Sequence, residues 1–290
     1  MEKSVRTDPL TGLLNRNGLY ERMMSLAHGL GDQRRIAILH IDLDHLKAIN
    51  SVLGYDAGDH VLRYSASVLS RIAPDADMVA RVGGDEFILL LRCDGIDRVP
   101  FCVAEQIVKT LERPTSFQNR VCNFGASIGL PFLQSNGIAA LAEAQTNANI
   151  ALSAAKKMGH GVVRIFEADM RRDTVEMVQM GQQIRDGLTA GQFTPFFQPQ
   201  VDVHRGRIIG FEALIRWEHP NLCLVTAFKF LEAAERAGLM ARLDEVVMDR
   251  ACFAVAEMKS WGLIRSVCQH QSFDGPATGH QNRPAFAAIH

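Results

Sequence analysis

The hydrophobic pattern of this chain switches period several times, and each switch marks an element. Ile36-Ala37-Ile38-Leu39-His40-Ile41-Asp42-Leu43-Asp44 is an apolar run that closes on two carboxylates one residue apart. It predicts a buried strand, and the strand period of two puts Asp42 and Asp44 on one face. Val61, Leu62, Ser65, Val68, Leu69 and Ile72 recur at helical spacing instead, separated from Lys47-Ala48-Ile49-Asn50 by the polar stretch Gly54-Tyr55-Asp56-Ala57-Gly58-Asp59. That order reads as helix, polar loop, helix. Val79 to Val82 and Phe87 to Leu91 are short runs of strand composition on either side of Gly83-Gly84-Asp85-Glu86, a hairpin signal because only glycine takes positive φ without steric cost. Gly125-Ala126-Ser127-Ile128-Gly129 reads as another strand, and Met177, Met180, Ile184 and Leu188 form one apolar stripe on a connecting helix. Ile264 to His290, with His270, His280 and His290, shows neither period and is rich in Gln, His, Gly and Pro.

The polar residues that interrupt these runs carry the candidate chemistry. Two carboxylates at the end of a buried strand repel each other and lose solvation, so they need a cation or hydrogen-bond donors to stay ionised. Asp42 is the metal-ligand candidate, while Asp44 reads as the cap of a helix starting near His45. Bare glycine backbone at Gly83 and Gly84 lets a polyphosphate approach, and an acid beside it can hold the neutralising cation; the same residues also describe an ordinary turn with two solvated acids. Asn50 and Asp59 bracket the polar loop, where an amide and a carboxylate together match the donor and acceptor edge of guanine, and Asp59 reads equally as a helix N-cap.

These residues, in order with Asp8-Pro9-Leu10-Thr11-Gly12-Leu13-Leu14-Asn15-Arg16 and Lys156-Lys157-Met158-Gly159, resemble the GGDEF family of diguanylate cyclases over about residues 4 to 166. The resemblance implies an α+β, palm-like domain of nucleotidyl-cyclase type that binds GTP with Mg2+ or Mn2+ and works as a homodimer, joining two GTP into cyclic di-GMP. It assigns Asp42, Asp85 and the Leu43 carbonyl to metal, Asn50 and Asp59 to guanine, and Lys47, Gly83 and Gly84 to the phosphates. Glu86, Asp85 and Lys156 become the catalytic residues. The chain departs from the family at Asn149, Ser153 and His160, positions where the resemblance expects aspartate, tyrosine and arginine. His160 lacks the permanent charge and bidentate fork of arginine near the phosphates, so low cyclase activity is expected, with a silent GTP-binding or interaction module as the alternative. The family's Arg-x-x-Asp product-inhibition site falls on Pro74 and Asp77, so feedback through it is expected to be absent.

Phe196-Phe197-Gln198-Pro199-Gln200 and Phe211-Glu212-Ala213-Leu214-Ile215-Arg216-Trp217 resemble the opening of an EAL domain, the cyclic di-GMP phosphodiesterase, with Gln198, Glu212 and Arg216 at substrate and metal positions. Phe228 to Leu239 and Leu243 to Leu263 match its next helices. The EAL fold is a TIM-type barrel, which needs about 200 residues or more, so an incomplete barrel without phosphodiesterase activity is expected. The composition change after residue 263 also fits a shifted reading frame and a product without function. The expected organisation is 1–166, a connecting helix 167–190, an EAL fragment 191–263 and a tail 264–290.

Composition narrows the partners. A net charge of -1 with 22% charged residues and no basic stripe argues against macromolecular nucleic acid as a partner. No membrane segment or signal-peptide pattern is seen, and the cytoplasm is the expected compartment, in line with six cysteines that form no Cys-x-x-Cys pair.

Overall fold

The structure is a computed structural model that describes residues 6–27, 34–74, 76, 78–94, 98–133, 138–260 and 268–270. The chain divides into two compact units, 1–172 and 173–290. The first runs α1 (Arg16–Ala27), β1 (Arg34–Asp44), α2 (Leu46–Leu53), α3 (Tyr55–Ile72), β2 (Met78–Gly83), β3 (Glu86–Asp94), α4 (Val99–Leu111), β4 (Thr115–Phe117), β5 (Arg120–Cys122), β6 (Gly125–Leu130), β7 (Phe132–Leu133), α5 (Ile138–Lys157) and β8 (Val163–Ile165). Its main sheet has the order β2-β3-β1-β6-β8, with β7 also on β1 and β8 alone running parallel to its neighbour.

Strand β1 is central because both of its faces are apolar. Ala37, Leu39, Ile41 and Leu43 point into a core shared with α2, α3 and α4. Ile36 and Ile38 point the other way, against Leu19 and Met23 of α1 and Leu141, Ala144 and Ala148 of α5. On that second face the next positions are His40, Asp42 and Asp44, all buried. The alternation thus runs from hydrocarbon into a polar site along one strand face. Helix α5 sits directly on β6: a Cβ at Gly129 would lie 2.3 Å from the Ala148 carbonyl oxygen and 2.4 Å from the Leu152 nitrogen.

The amino-terminal motif is tied to the β2–β3 hairpin through one arginine. Thr11 donates from its backbone N–H and its hydroxyl to Asp8 Oδ1 at 2.9 and 2.6 Å. Arg81 Nη1 reaches Asp8 Oδ2 at 3.1 Å, while its Nε and Nη2 donate to the Gly84 carbonyl at 3.2 and 2.7 Å. Burial pulls the Asp8 pKa upward, but the Thr11 hydrogen bonds and the Arg81 guanidinium outweigh it and hold the carboxyl below its ordinary value of 3.8.

Three expectations change on contact with this unit. The polar loop does not exist: only Gly54 separates α2 from α3, and Asp59 lies inside α3. Neither Asp44 nor Asp59 caps a helix, because α2 follows His45 in the left-handed region (φ 67) and α3 follows Gly54 (φ 88). The hairpin strands are longer than their apolar runs, so Glu86 is the first residue of β3 and Gly83 the last of β2, leaving Gly84 and Asp85 as the turn. The compact units divide at 172, where Arg171 at the start of the next helix bonds Asn147 and Glu143. Pro74 is exposed in a turn, and Asp77 lies outside the described residues.

The second unit contains α6 (Ala168–Thr189) from residue 173 on, then β9 (Phe193–Asp202), β10 (Arg207–His219), β11 (Cys223–Thr226), a 3-10 turn (Ala227–Lys229), α7 (Leu231–Arg236), α8 (Met240–Ser260) and β12 (Cys268–His270). Ile184 and Leu188 of α6 join Phe193, Trp217 and Phe230 in its core, with Met177 and Met180 packed against it. β10 is the middle strand, with β9 and β11 antiparallel and β12 parallel to it. The described strands form an open sheet, a portion of a barrel. The expectation that nothing regular follows residue 263 is corrected at 268–270, where backbone pairing of Phe211, Glu212 and Ala213 with Cys268, Gln269 and His270 makes a short strand despite the absent pattern. The remainder of that tail, including His280 and His290, lies outside the described residues. No described helix is long and apolar enough to cross a membrane.

Gly129→Ala is expected to cost about 2–3 kcal/mol, the scale of overpacking a filled site, measured as a lower urea midpoint with an unchanged slope. Asp8→Asn is expected to cost about 1–2 kcal/mol at neutral pH. Because the folded-state pKa of Asp8 is depressed, its contribution is full above 3.8 and fades as pH falls through the lower folded value. Urea melts of parent and variant should therefore differ at pH 7 and converge in acid.

Candidate functional site

The site forms where β1 and β3 end together. Their register sets Asp42 opposite Glu86, and the Leu43 N–H donates to the Asp85 carbonyl at 3.1 Å, so the hairpin turn is fastened to the strand that carries Asp42. Gly84 has φ +38, and no atom lies within 4 Å of where a Cβ would stand on Gly83 or Gly84. The backbone there is open to an approaching group.

Charge at this point is unbalanced. Lys156 Nζ, from the last turn of α5, lies 2.7 Å from Asp42 Oδ2. Burial pushes the Asp42 pKa up; Lys156 pulls it down, and the neighbouring Asp85 and Glu86 carboxylates push it up again, with a net rise. One lysine therefore does not satisfy three carboxylates. The oxygens of Asp42 and Asp85 and the Leu43 carbonyl are hard donors of the kind that magnesium and manganese take, so the residues present fit the metal that the resemblance implies. Among the described residues no three His, Cys, Asp or Glu side chains are already gathered around a point as a metal cage.

The guanine candidates are brought together by close packing. The Asn50 side chain lies on Gly58, where a Cβ would fall 1.9 Å from Asn50 Oδ1, and that oxygen is buried without a hydrogen-bond partner. Asp59 is the next residue, half exposed, with Arg63 at 3.7 Å. Lys47 is exposed in the first turn of α2.

Two features escaped the sequence reading. Asp44 is fully buried and gathers donors from distant segments: the Ser127 hydroxyl at 3.0 Å, the Gly161 N–H at 3.0 Å and His160 Nδ1 at 2.9 Å. His160 therefore leans on a carboxylate. The signal was Ser127, a lone hydroxyl in an otherwise apolar strand. The other is His40, buried beside the acids with its Nε2 3.4 Å from Glu86 Oε2. Burial pushes the His40 pKa down, against the opposing pull of Glu86, Asn149 and Asp42. Its position two residues before Asp42 on one strand face was the available signal.

In the second unit Glu212 stands opposite Gln198 across β9 and β10. Arg216 Nη1 donates to the Ile215 carbonyl at 2.9 Å, and its guanidinium lies 5.7 Å from the Phe196 ring centre. Ala213, Ile215 and Trp217 fill the core, so strand alternation leaves Glu212 and Arg216 on the other face of the sheet.

Comparison with known proteins agrees with this geometry. The model of the family described as "Diguanylate cyclase, GGDEF domain" matches residues 5–161, and that of the EAL domain matches residues 181–269. The chain is 35% identical over 256 residues to the bifunctional diguanylate cyclase/cyclic di-GMP phosphodiesterase MucR of Pseudomonas aeruginosa, covering 88% of this chain and 36% of MucR. It is 30% identical over 253 residues to the cyclic di-GMP phosphodiesterase NbdA of the same organism, covering 87% and 32%. The chain thus spans about a third of the length of these curated relatives. Among solved structures, the coiled coil and GGDEF domain of DgcB from Caulobacter crescentus, in complex with c-di-GMP, superposes with a TM-score of 0.52 at 26% identity, over 57% of this chain and 87% of that one. The GGDEF domain of TpbB from Pseudomonas aeruginosa gives 0.52 at 28% identity, over 58% and 98%. With its two carboxylate-bearing strand ends, its Gly-Gly turn and these matches, the chain belongs to the GGDEF family of diguanylate cyclase domains, followed by a portion of an EAL domain.

Proposed function

We propose that the first unit makes cyclic di-GMP from two GTP in a homodimer. The observation that carries this reading is the meeting of Asp42, Asp85 and Glu86 at one strand end, with the Leu43–Asp85 backbone bond fixing the turn against it. Asn50, held by Gly58, and Asp59 read guanine: the carboxylate accepts from the ring N–H and amino group, and the amide completes the edge. Lys47 and Lys156 bind the triphosphate, which draws Lys156 from Asp42, and the Gly83 and Gly84 backbone lies along it. A magnesium or manganese ion on Asp42, Asp85 and the Leu43 carbonyl would supply neutralisation of phosphate charge and a more acidic 3′-hydroxyl. In this reading Glu86 accepts the hydroxyl proton. The 3′-oxygen of one GTP attacks the α-phosphorus of the GTP held by the facing protomer, and pyrophosphate leaves as the new P–O bond forms. The same step in the opposite sense closes the ring. A single protomer presents one nucleotide, so pairing is required for orientation.

The second unit is proposed to contribute no hydrolysis: in the described residues Glu212 stands opposite Gln198, and no metal-holding group of carboxylates is gathered around it. A silent GTP-binding module is the competing reading, favoured by the Lys156–Asp42 ion pair at 2.7 Å, which already engages a proposed metal ligand.

Incubation of the purified chain with GTP and magnesium or manganese, followed by mass spectrometry, is expected to yield cyclic di-GMP and pyrophosphate but no linear dinucleotide. Asp85→Ala should lower the rate by on the order of 100-fold or more, the scale of losing one electrostatic stabiliser; GTP that binds without turning over would favour the silent module. His160→Arg is expected to raise turnover severalfold, because a guanidinium can span the Asp44 carboxylate and keep a permanent charge beside the phosphates. An unchanged rate would remove His160 as the cause of low activity.

A further inference from the structure

Beside the carboxylate cluster the first unit holds a cavity of about 890 Å³ between the sheet, α1 and α5. That is within the roughly 300–1,000 Å³ of sites that enclose small molecules. Its wall is apolar along Leu19, Ile38, Ile88, Ala148 and Leu152. The polar groups are few and placed: Arg16, Lys156 and Lys157 against Asp42 and Glu86 give an excess of one positive charge. His40 also lines it, its side chain only 8% exposed and its Nε2 3.4 Å from Glu86 Oε2. Ser153, a small residue on the α5 side, leaves room there.

We propose that this cavity binds a small amphipathic anion, an aromatic body with a single carboxylate-like group, whose hydrocarbon lies on Ile38, Ile88 and Leu152 while its charge meets the basic side chains. The guanine candidates Asn50 and Asp59 are on α2 and α3 and do not line it, so the occupant is distinct from the base of GTP. It would nevertheless share Lys156 and Glu86 with the catalytic cluster. An anion that draws Lys156 from Asp42 changes the charge available there, which makes the cavity a place from which a metabolite-sized acid can regulate the cyclase. That regulatory consequence rests on the cyclase reading; the binding itself does not.

The test is titration of the full chain, methyl-labelled and without GTP or metal, with 2-naphthoate as probe, read by NMR at the methyl groups of Leu19, Ile38, Ile88 and Leu152. The expected result is saturable shifts at those methyls with one dissociation constant, at least tenfold weaker binding of the uncharged 2-naphthamide, and at least tenfold weaker binding of 2-naphthoate to Ser153→Trp. Methyls of Val61 and Leu69 in the opposite core report that the variant is folded; should Ser153→Trp disturb them, Arg16→Gln takes its place with an expected severalfold loss. No saturable shift at the cavity methyls, equal binding by the folded variant, or equal binding of the amide would overturn the proposal. Because GTP is absent, a silent cyclase and an empty cavity give separate answers.

Discussion

The first unit is organised around an electrostatic imbalance. Asp42 is buried, faces Asp85 and Glu86, and has Lys156 as its near counter-charge. A fold can hold such an arrangement only if the elements that bring the acids together are stabilised elsewhere, and here the two cores on either face of β1 do so. The cost of the unsatisfied charge is thereby borne by hydrocarbon packing along the same strand, a few residues upstream.

The second unit shows the same principle with less finished packing. Trp217 stacks on Phe193 at 5.1 Å and donates its indole N–H to Gln192 at 3.0 Å, so the helix-covered face of the sheet is closed and specific. On the other face Glu212, Gln198 and Arg216 stand on an open sheet, with Phe196 half exposed. Function in a barrel depends on strand ends meeting across a mouth, and the described strands of this unit form an open sheet.

Much of the first unit was legible in the sequence because its signals are local. The apolar run into Asp42 and the hairpin at the glycine pair are set by backbone sterics and strand period, and both are found, the turn itself falling one residue later, on Gly84 and Asp85. The loop between Asn50 and Asp59 was misread because its composition is polar, whereas α3 begins directly after Gly54 and packs its Gly58 against the Asn50 side chain. Tertiary contact overrode composition there. Asp44 failed as a cap for a similar reason: its partners, Ser127 and residues 160 and 161, are far away in sequence. His40 was hidden inside an otherwise hydrophobic run. Short β12 carried no pattern at all, since three residues paired through backbone need none.

The long reach of Asp44 sets an order of assembly. Its buried carboxylate is matched only when Ser127 and then His160 and Gly161 have arrived, and Lys156, which faces Asp42, comes from the same late stretch. During synthesis the acid-bearing strand therefore leaves the ribosome more than a hundred residues before its last partners. Until then the nascent chain carries Asp42 and Asp44 without those partners, and both carboxylates are matched only when the last segments of the unit arrive.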